Sequence, residues 1–149
     1  MPTKVNLITL GCSKNLVDSE QLAGLLGSDY EVCFDYEKGR FDIVIINTCG
    51  FIGDAKEESI DMILQYAALR KQRKIKLLLV VGCVVQRYTD DLSREIPEVD
   101  KFFGVNDYKE IAEYILQKNI VKNDCLRLLS TPSHYAYLKI SEGCDKFCS

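Results

Sequence analysis

The chain has 149 residues, 47% of them hydrophobic, which is enough for one compact domain with a core but not for two full domains. Its net charge of -3 and pI near 5.2 leave no basic footprint, which disfavours direct nucleic acid binding. No signal segment opens the chain and its longest apolar run, LLLVVGCVV, is too short to cross a bilayer, so we expect a cytosolic protein without membrane contact.

Strand-like and helix-like segments alternate along most of the chain. A helical pattern that ends at Gly27 follows the first strand, and a second helix, with Ile60, Ile63, Leu64 and Ala67 repeating on one face, follows GFIGD. Two more helices are predicted at 84–96 and 106–118, the last one capped by Asn106 or Asp107. The predicted strands cover residues 4–10, 30–34, 41–48, 75–82 and 101–105. This alternation predicts an α/β fold, a doubly wound, mostly parallel sheet with helices on both faces and the flavodoxin-like strand order 2-1-3-4-5.

The change of pattern after the last helix indicates where this domain ends. We place the sheet domain at residues 1–119, a connector at 120–133 and the start of a second domain at 134–149. The final segment contains Cys144 and Cys148, the first two cysteines of a C-x-x-x-C-x-x-C spacing. We therefore expect the sequence to stop inside a thiolate motif whose third cysteine would lie two residues beyond Ser149.

Seven cysteines and one histidine restrict the chemistry that is open to the chain. In a reducing compartment this cysteine content favours metal or redox chemistry over structural disulfides. Because His134 is the single histidine, and is interpreted as a solvated strand-edge residue, a metal would be held mainly by sulfur.

Three of the cysteines follow three predicted strands. Cys12 comes after LITLG, Cys49 after VIINT and Cys83 after LLVVG. The carboxyl ends of parallel strands lie along one edge of the sheet, where doubly wound folds bind their ligands. We therefore expect these three thiols to line one crevice, whereas Cys33 and Cys125 are interpreted as structural or incidental.

Three thiolates suit an iron–sulfur cube with one open iron. Zinc is the rival metal, but structural zinc usually has four ligands with tight C-x-x-C spacing. Among the polar residues after Cys12, Lys14, Asn15 and Asp18 are possible pocket residues. The alternative is that Asn15 caps the first helix, that Lys14 is simply exposed, and that Asp18 and Glu20 favour the positive end of that helix.

Four sequence blocks together resemble one enzyme family across nearly the whole chain. The blocks are LGCSKNLVDSE, INTCGFI, VVGCVVQRY and ISEGCDKFCS, and in this order they are similar to the methylthiotransferases of the radical S-adenosylmethionine superfamily. The Ser-Lys-Asn after Cys12 resembles the RimO branch, which modifies an aspartate of ribosomal protein S-twelve. The alternative is the tRNA-modifying MiaB branch, which typically has Gln-Met-Asn there.

The resemblance implies two four-iron four-sulfur clusters in the complete enzyme. Cys12, Cys49 and Cys83 would bind the auxiliary cluster that presents the inserted sulfur, and Cys144 and Cys148 would be two of the three ligands to the cluster that cleaves S-adenosylmethionine. The radical so formed would abstract hydrogen from the β-carbon of the substrate aspartate. An electron donor and a barrel domain are implied as well, and because this chain lacks the barrel we expect it to be inactive alone.

Two other classes of protein stay open from the sequence. A flavodoxin-like binding module would need a phosphate-binding loop rich in Gly, Ser and Thr, whereas the loop after the first strand is GCSKN. A zinc or redox module would use the same thiols without a cluster, and the metal content of the purified chain would separate it from the cluster interpretation.

Overall fold

The structure is a computed structural model that describes residues 2–11, 13–50, 53–105, 107–117 and 128–130, without the side chain of Ser28. Its strands are β1 (Thr3–Thr9), β2 (Tyr30–Phe34), β3 (Ile43–Thr48), β4 (Leu77–Gly82) and β5 (Lys101–Phe103). Its helices are α1 (Ser13–Leu26), α2 (Gly53–Lys71), α3 (Cys83–Glu95) and α4 (Tyr108–Leu116), and a 3-10 turn, Gly27–Asp29, follows α1.

The five strands form one parallel sheet in the order β2-β1-β3-β4-β5, which confirms the predicted fold class and strand order. The order reverses between β1 and β3, because the chain moves outward to β2 on one side and to β4 and β5 on the other. This switch point is where the carboxyl ends of β1 and β3 leave a crevice in such folds.

Both faces of the sheet are covered, which explains the continuous apolar runs of its central strands. All six residues of β3 are buried. Residues of α1 and α4 pack on one face around Ile45 and Leu79, and residues of α2 and α3 pack on the other around Ile46 and Val80. Each central strand therefore sends alternate side chains into two separate cores.

The predicted apolar face of α2 differs from the buried face at two positions, and one of them is Ile60, which is only half-buried. Ile63 and Ala67 are buried as expected, but Leu64 is 50% exposed, and Ser59 and Tyr66 complete the buried face instead. The buried stripe of α2 is therefore rotated by about one residue from the pattern of aliphatic side chains.

The ends of the elements differ from prediction by a few residues. The helix α4 ends at Leu116, where Gln117 takes a left-handed conformation, and Asp107 occupies its N-cap position. The Asp107 carboxylate, however, accepts a hydrogen bond from the Gly104 N–H at 2.8 Å rather than from the helix. The predicted cap at Asn106 and most of the connector and second domain lie outside the described residues. Among the helices that the structure describes, none is long and apolar enough to span a membrane.

Candidate metal centre at the carboxyl edge of the sheet

Two cysteines stand side by side at the carboxyl edge of the sheet. Thr48 of β3 pairs with Gly82 of β4, and Cys49 and Cys83 are the next residue of each segment. Neighbouring strands lie about 4.8 Å apart, so the two cysteines emerge from adjacent backbones at the same level. Both are half-buried thiols outside any disulfide.

The segment that leads to Cys12 reaches the same place. A Cβ atom at Gly11 would lie 2.5 Å from the Cβ of Cys49 and 2.8 Å from its Sγ. The backbone of β1 is tied to β3 just before this point, since the Leu10 N–H donates to the Asn47 carbonyl at 2.9 Å. Cys12 itself lies outside the described residues, but the residue that precedes it touches Cys49.

Close backbone packing also joins the ends of β3 and β4. A Cβ at Gly82 would lie 2.5 Å from the Thr48 carbonyl oxygen, and Gly82 has a φ of 103°, which an L side chain rarely adopts. One residue further along each segment, a Cβ at Gly50 would lie 2.8 Å from Cγ2 of Val84. The segments that carry Cys49 and Cys83 therefore stay in contact beyond the end of the sheet.

Two buried asparagines hold the start of α1 against the ends of the strands. The Asn15 amide is 8% exposed and donates to the Leu10 carbonyl at 2.8 Å and the Thr48 carbonyl at 3.0 Å. The Asn47 amide donates in turn to the Asn15 carbonyl at 2.9 Å and to Oγ of Ser19 at 3.1 Å. Asn15 is the third residue of α1, so the interpretation of this residue as the helix cap is wrong.

Ser59 of α2 binds the backbone of Cys49 on both sides. The Cys49 N–H donates to Oγ of Ser59 at 3.1 Å, and the Ser59 hydroxyl donates to the Cys49 carbonyl at 2.9 Å. Ser59 is fully buried and Cys49 is half-buried, so these bonds are partly shielded from water. Sequence reasoning missed Ser59, and its one local signal was a small polar residue one turn before Ile63 on the buried face of α2.

The other residues predicted near Cys12 take separate positions. Asp18 is half-buried and, with Asn15, lines the crevice between α1 and α4, whereas Lys14 is exposed and is not part of that crevice. The first turn of α1 contains no acidic residue, so the prediction that Asp18 and Glu20 favour its positive end is wrong. Glu20 is instead fully buried.

The remaining cysteines divide into one that is placed and three that are not described. Cys33 lies inside β2, paired with Asn6, on the edge strand of the sheet. Asn6 is five residues before Gly11, so Cys33 lies about 16 Å from the carboxyl edge along the strand direction. Cys125, Cys144 and Cys148, together with His134, lie outside the described residues.

The local electrostatics suit a negatively charged group at this edge. Helices α1 and α3 begin at Ser13 and Cys83, and α2 begins at Gly53, so three helix amino termini face the carboxyl edge. The partial positive charge of these termini favours an anionic group such as a cluster. Within the described residues, which omit Cys12, no three Cys, His, Asp or Glu side chains gather in a metal-binding group. The described part of the site therefore offers two soft sulfur donors, and these fit an iron–sulfur cluster if Cys12 joins them.

A comparison with protein families places most of the chain in one of them. Residues 4–104, which include the three strand-end cysteines and all five strands except the first residue of β1, match the family described as "Uncharacterized protein family UPF0004".

Individual relatives are similar along almost the entire chain. A protein of Bacteroides thetaiotaomicron named "Ribosomal protein uS12 methylthiotransferase RimO" is 52% identical over 147 residues, 98% of this chain. Proteins with the same name from Porphyromonas gingivalis and Cytophaga hutchinsonii are 48% and 50% identical over 98% and 99% of the chain. In each case the matched part is 34% of the relative, so the chain spans about a third of the length of these relatives.

Proposed function

Because this chain belongs to the UPF0004 family, we propose that it is the amino-terminal part of a RimO-type methylthiotransferase and carries an auxiliary four-iron four-sulfur cluster. The ligands would be Cys12, Cys49 and Cys83. The substrate of the complete enzyme would be ribosomal protein S-twelve, in line with the names of the relatives, and the modified residue would be an aspartate, as the sequence resemblance implies.

One observation supports the cluster assignment most directly. Gly11, the residue before Cys12, touches the side chain of Cys49, while Cys49 and Cys83 follow a register pair of neighbouring strands. Cysteines that are more than thirty residues apart in sequence are thus brought to one edge of the sheet. Packing alone gives no reason for a thiol at each of these strand ends.

The protein's own contribution to the site is to fix the direction of its thiols. The two hydrogen bonds from Ser59 hold the backbone of Cys49, and the amide of Asn15 holds the ends of β1 and β3 together. The helix amino termini offset the charge of the thiolates. When bound, the cluster supplies sulfur for insertion at the substrate carbon.

The rest of the proposed reaction would depend on the part of the relatives that these 149 residues do not match. We propose that Cys144 and Cys148 belong to a second cluster, which reacts with S-adenosylmethionine and receives its electron from a separate donor. Since the chain spans about a third of its relatives, we propose that it does not catalyse methylthiolation by itself. We also propose a cytoplasmic location, which its cysteine content supports, and no direct nucleic acid binding by this segment, which its net charge of -3 supports.

Anaerobic reconstitution with iron and sulfide tests the assignment. The 149-residue chain is prepared with Cys144 and Cys148 both replaced by alanine, so that iron bound there does not contribute. We expect about four irons per chain in this background. Each of Cys12→Ala, Cys49→Ala and Cys83→Ala should abolish most of this binding, and Cys33→Ala is the matched control that should retain it.

Three results would contradict the proposal. The first is equal iron loading in the Cys49→Ala and Cys33→Ala variants, which would show that the iron is not bound at the carboxyl edge. The second is stoichiometric zinc, instead of iron, in the chain reconstituted with both metals present. The third is a flavin spectrum in the purified protein, which would indicate a binding module of a different class.

A further inference from the structure

A buried carboxylate on α1 contacts a segment far away in sequence. Glu20 is fully shielded from solvent in the middle of α1. A carboxylate removed from water is stable only when hydrogen-bond donors replace its hydration. The hydrogen-bond donors that reach Glu20 therefore indicate its structural role.

Leu128 and Ser130 supply donors to Glu20 from more than 100 positions along the chain. The Ser130 N–H and the Ser130 hydroxyl donate to Oε1 of Glu20, at 2.9 and 2.7 Å. The Leu128 N–H donates to the backbone carbonyl of Glu20 at 3.0 Å. These three bonds attach a short stretch of the predicted connector to one residue of α1.

Hydrophobic burial does not explain why this stretch lies where it does. Leu128 is 45% exposed and Leu129 is 49% exposed, so neither leucine is anchored in a core. Two of the three bonds go to a carboxylate, and hydrogen bonds to charged groups are roughly twice as strong as neutral ones. The polar contacts with Glu20 therefore contribute more than packing to holding the segment.

We propose that Glu20 is a positioning residue that fixes the path by which the chain leaves the sheet domain. We call the three contacts among Glu20, Leu128 and Ser130 the connector latch. Glu20 lies seven residues after Ser13, which places the latch about 10 Å along the axis of α1 from the carboxyl edge. The latch thereby sets the starting point of the segment that continues to Cys144 and Cys148.

The connector latch goes beyond the proposed function, because it requires no cluster in the site. Its role is to limit the positions that the following segment can take relative to Cys49 and Cys83. A merely structural Glu20 would stabilise the whole fold, whereas a latch restrains the connector locally. Local opening and global unfolding can be measured separately.

Trypsin cleavage of the Arg127–Leu128 bond, followed by mass spectrometry in the 149-residue chain, tests the latch. Ser130→Ala removes one donor to Glu20 from an exposed position, so it avoids the risk of unfolding that a Glu20 substitution carries. We expect cleavage at this bond to be about ten times faster in Ser130→Ala, as for the loss of one hydrogen bond to a charged group. The thermal midpoint should be unchanged.

Two further variants make this result specific. Ser130→Thr retains the hydroxyl and should restore the parent cleavage rate to within about twofold. Ser93→Ala removes a hydroxyl that bonds only within α3, with Ser93 donating to the Thr89 carbonyl at 2.7 Å, and should leave the Arg127–Leu128 bond as resistant as in the parent.

The proposal is overturned if Ser130→Ala leaves the cleavage rate at Arg127–Leu128 unchanged. It is also overturned if that variant accelerates cleavage at all sites together and lowers the thermal midpoint, because Glu20 would then support only the global fold. Failure of cluster binding by the cysteines would leave both readouts intact, so the latch and the proposed function are tested independently.

Discussion

The two edges of the sheet are built from different interactions. At the carboxyl edge, the contacts around Cys49 are neutral: the amide of Asn15 bridges two strands, and the hydroxyl of Ser59 binds the backbone of Cys49. Gly11 adds a contact so close that a Cβ atom would not fit. The hydrogen bonds that hold Cys49 in place therefore bring no formal charge to its backbone.

At the amino edge, aspartates and basic residues bind the starts of the strands. Asp100, just before β5, accepts bonds from the Leu78 N–H at 2.8 Å and from two guanidinium nitrogens of Arg70, each at 2.9 Å. Asp42, just before β3, pairs with Lys76 at 2.7 Å, and Lys76 is 81% exposed. These groups are partly in water, where ion pairs contribute little to stability.

The different contacts at the two edges separate the residues that stabilise the sheet from those that position the candidate metal site. The amino edge can use charge freely, because nothing there needs a controlled electrostatic environment. The carboxyl edge positions Cys49 with bonds that carry no formal charge, and the helix amino termini add partial positive charge there. Substitutions at the carboxyl edge should therefore be the more damaging ones, and those at the amino edge should depend on pH.

Gly11→Ala should have the largest effect. Its Cβ would collide with Cys49, and Gly11 has a φ of 90°, so overpacking and backbone strain together should lower the free energy of unfolding by about 2–4 kcal/mol. Gly27→Ala is the matched control, since Gly27 has a φ of 68° but no atom within 4 Å of the added Cβ. The Gly27→Ala variant should lose only about 1 kcal/mol of unfolding free energy in urea. Equal losses for the two variants would show that the close contact between Gly11 and Cys49 does not contribute to the effect.

Ser59→Ala should have an intermediate effect at the same edge. The substitution leaves the Cys49 N–H and carbonyl without their partner at a partly buried position, which should cost about 1–3 kcal/mol. Ser93→Ala, at an exposed site on α3, should change stability by less than about 0.5 kcal/mol. A similar urea midpoint for the two variants would show that Ser59 does not support Cys49.

Asp100→Asn should have the smallest effect, of about 0.5–1 kcal/mol at neutral pH. Burial raises the pKa of Asp100, but hydrogen bonds from Arg70 and from the Leu78 N–H outweigh it, and the pKa lies below its ordinary value of 3.8. A carboxyl whose pKa is lowered on folding stabilises the fold above the unfolded value and loses that contribution as the pH falls through the folded value.

The lowered pKa of Asp100 predicts how the stability of the protein should change with pH. The stability difference between the parent and Asp100→Asn should be constant above about pH 5 and should shrink below the ordinary pKa of 3.8. Glu31→Gln breaks an exposed pair in which Lys4 Nζ lies 3.7 Å from the carboxylate, and it should change stability by less than about 0.5 kcal/mol. A difference for Asp100→Asn that grows in acid would contradict the assigned ion pair.

Local sequence patterns were sufficient to predict the sheet and the position of Cys49 and Cys83 at its carboxyl edge. Buried strands such as Ile43–Thr48 are short, continuous apolar runs, and the strand order follows from the alternation with helices. The placement of Cys49 and Cys83 at one edge needed only their position after those runs. Leu64 was misassigned because the aliphatic pattern of α2 does not reveal that Ser59 and Tyr66 face the core.

Side-chain hydrogen bonds between distant segments could not be predicted in this way. The Asn15 amide reaches Thr48 across 33 positions, and Ser130 reaches Glu20 across 110. Such bonds depend on the relative placement of whole elements, whereas hydrophobic periodicity reports only which face of one element is buried. A polar residue at a strand end or on a helix is therefore open to several roles until the packing is known.

The position of iron in crystals of the anaerobically loaded chain tests the central claim most directly. An anomalous difference map at the iron edge should show one compact group of iron atoms within bonding distance of Sγ of Cys12, Cys49 and Cys83. Iron bound away from the carboxyl edge, or a metal held by Cys49 without Cys83, would contradict the shared site.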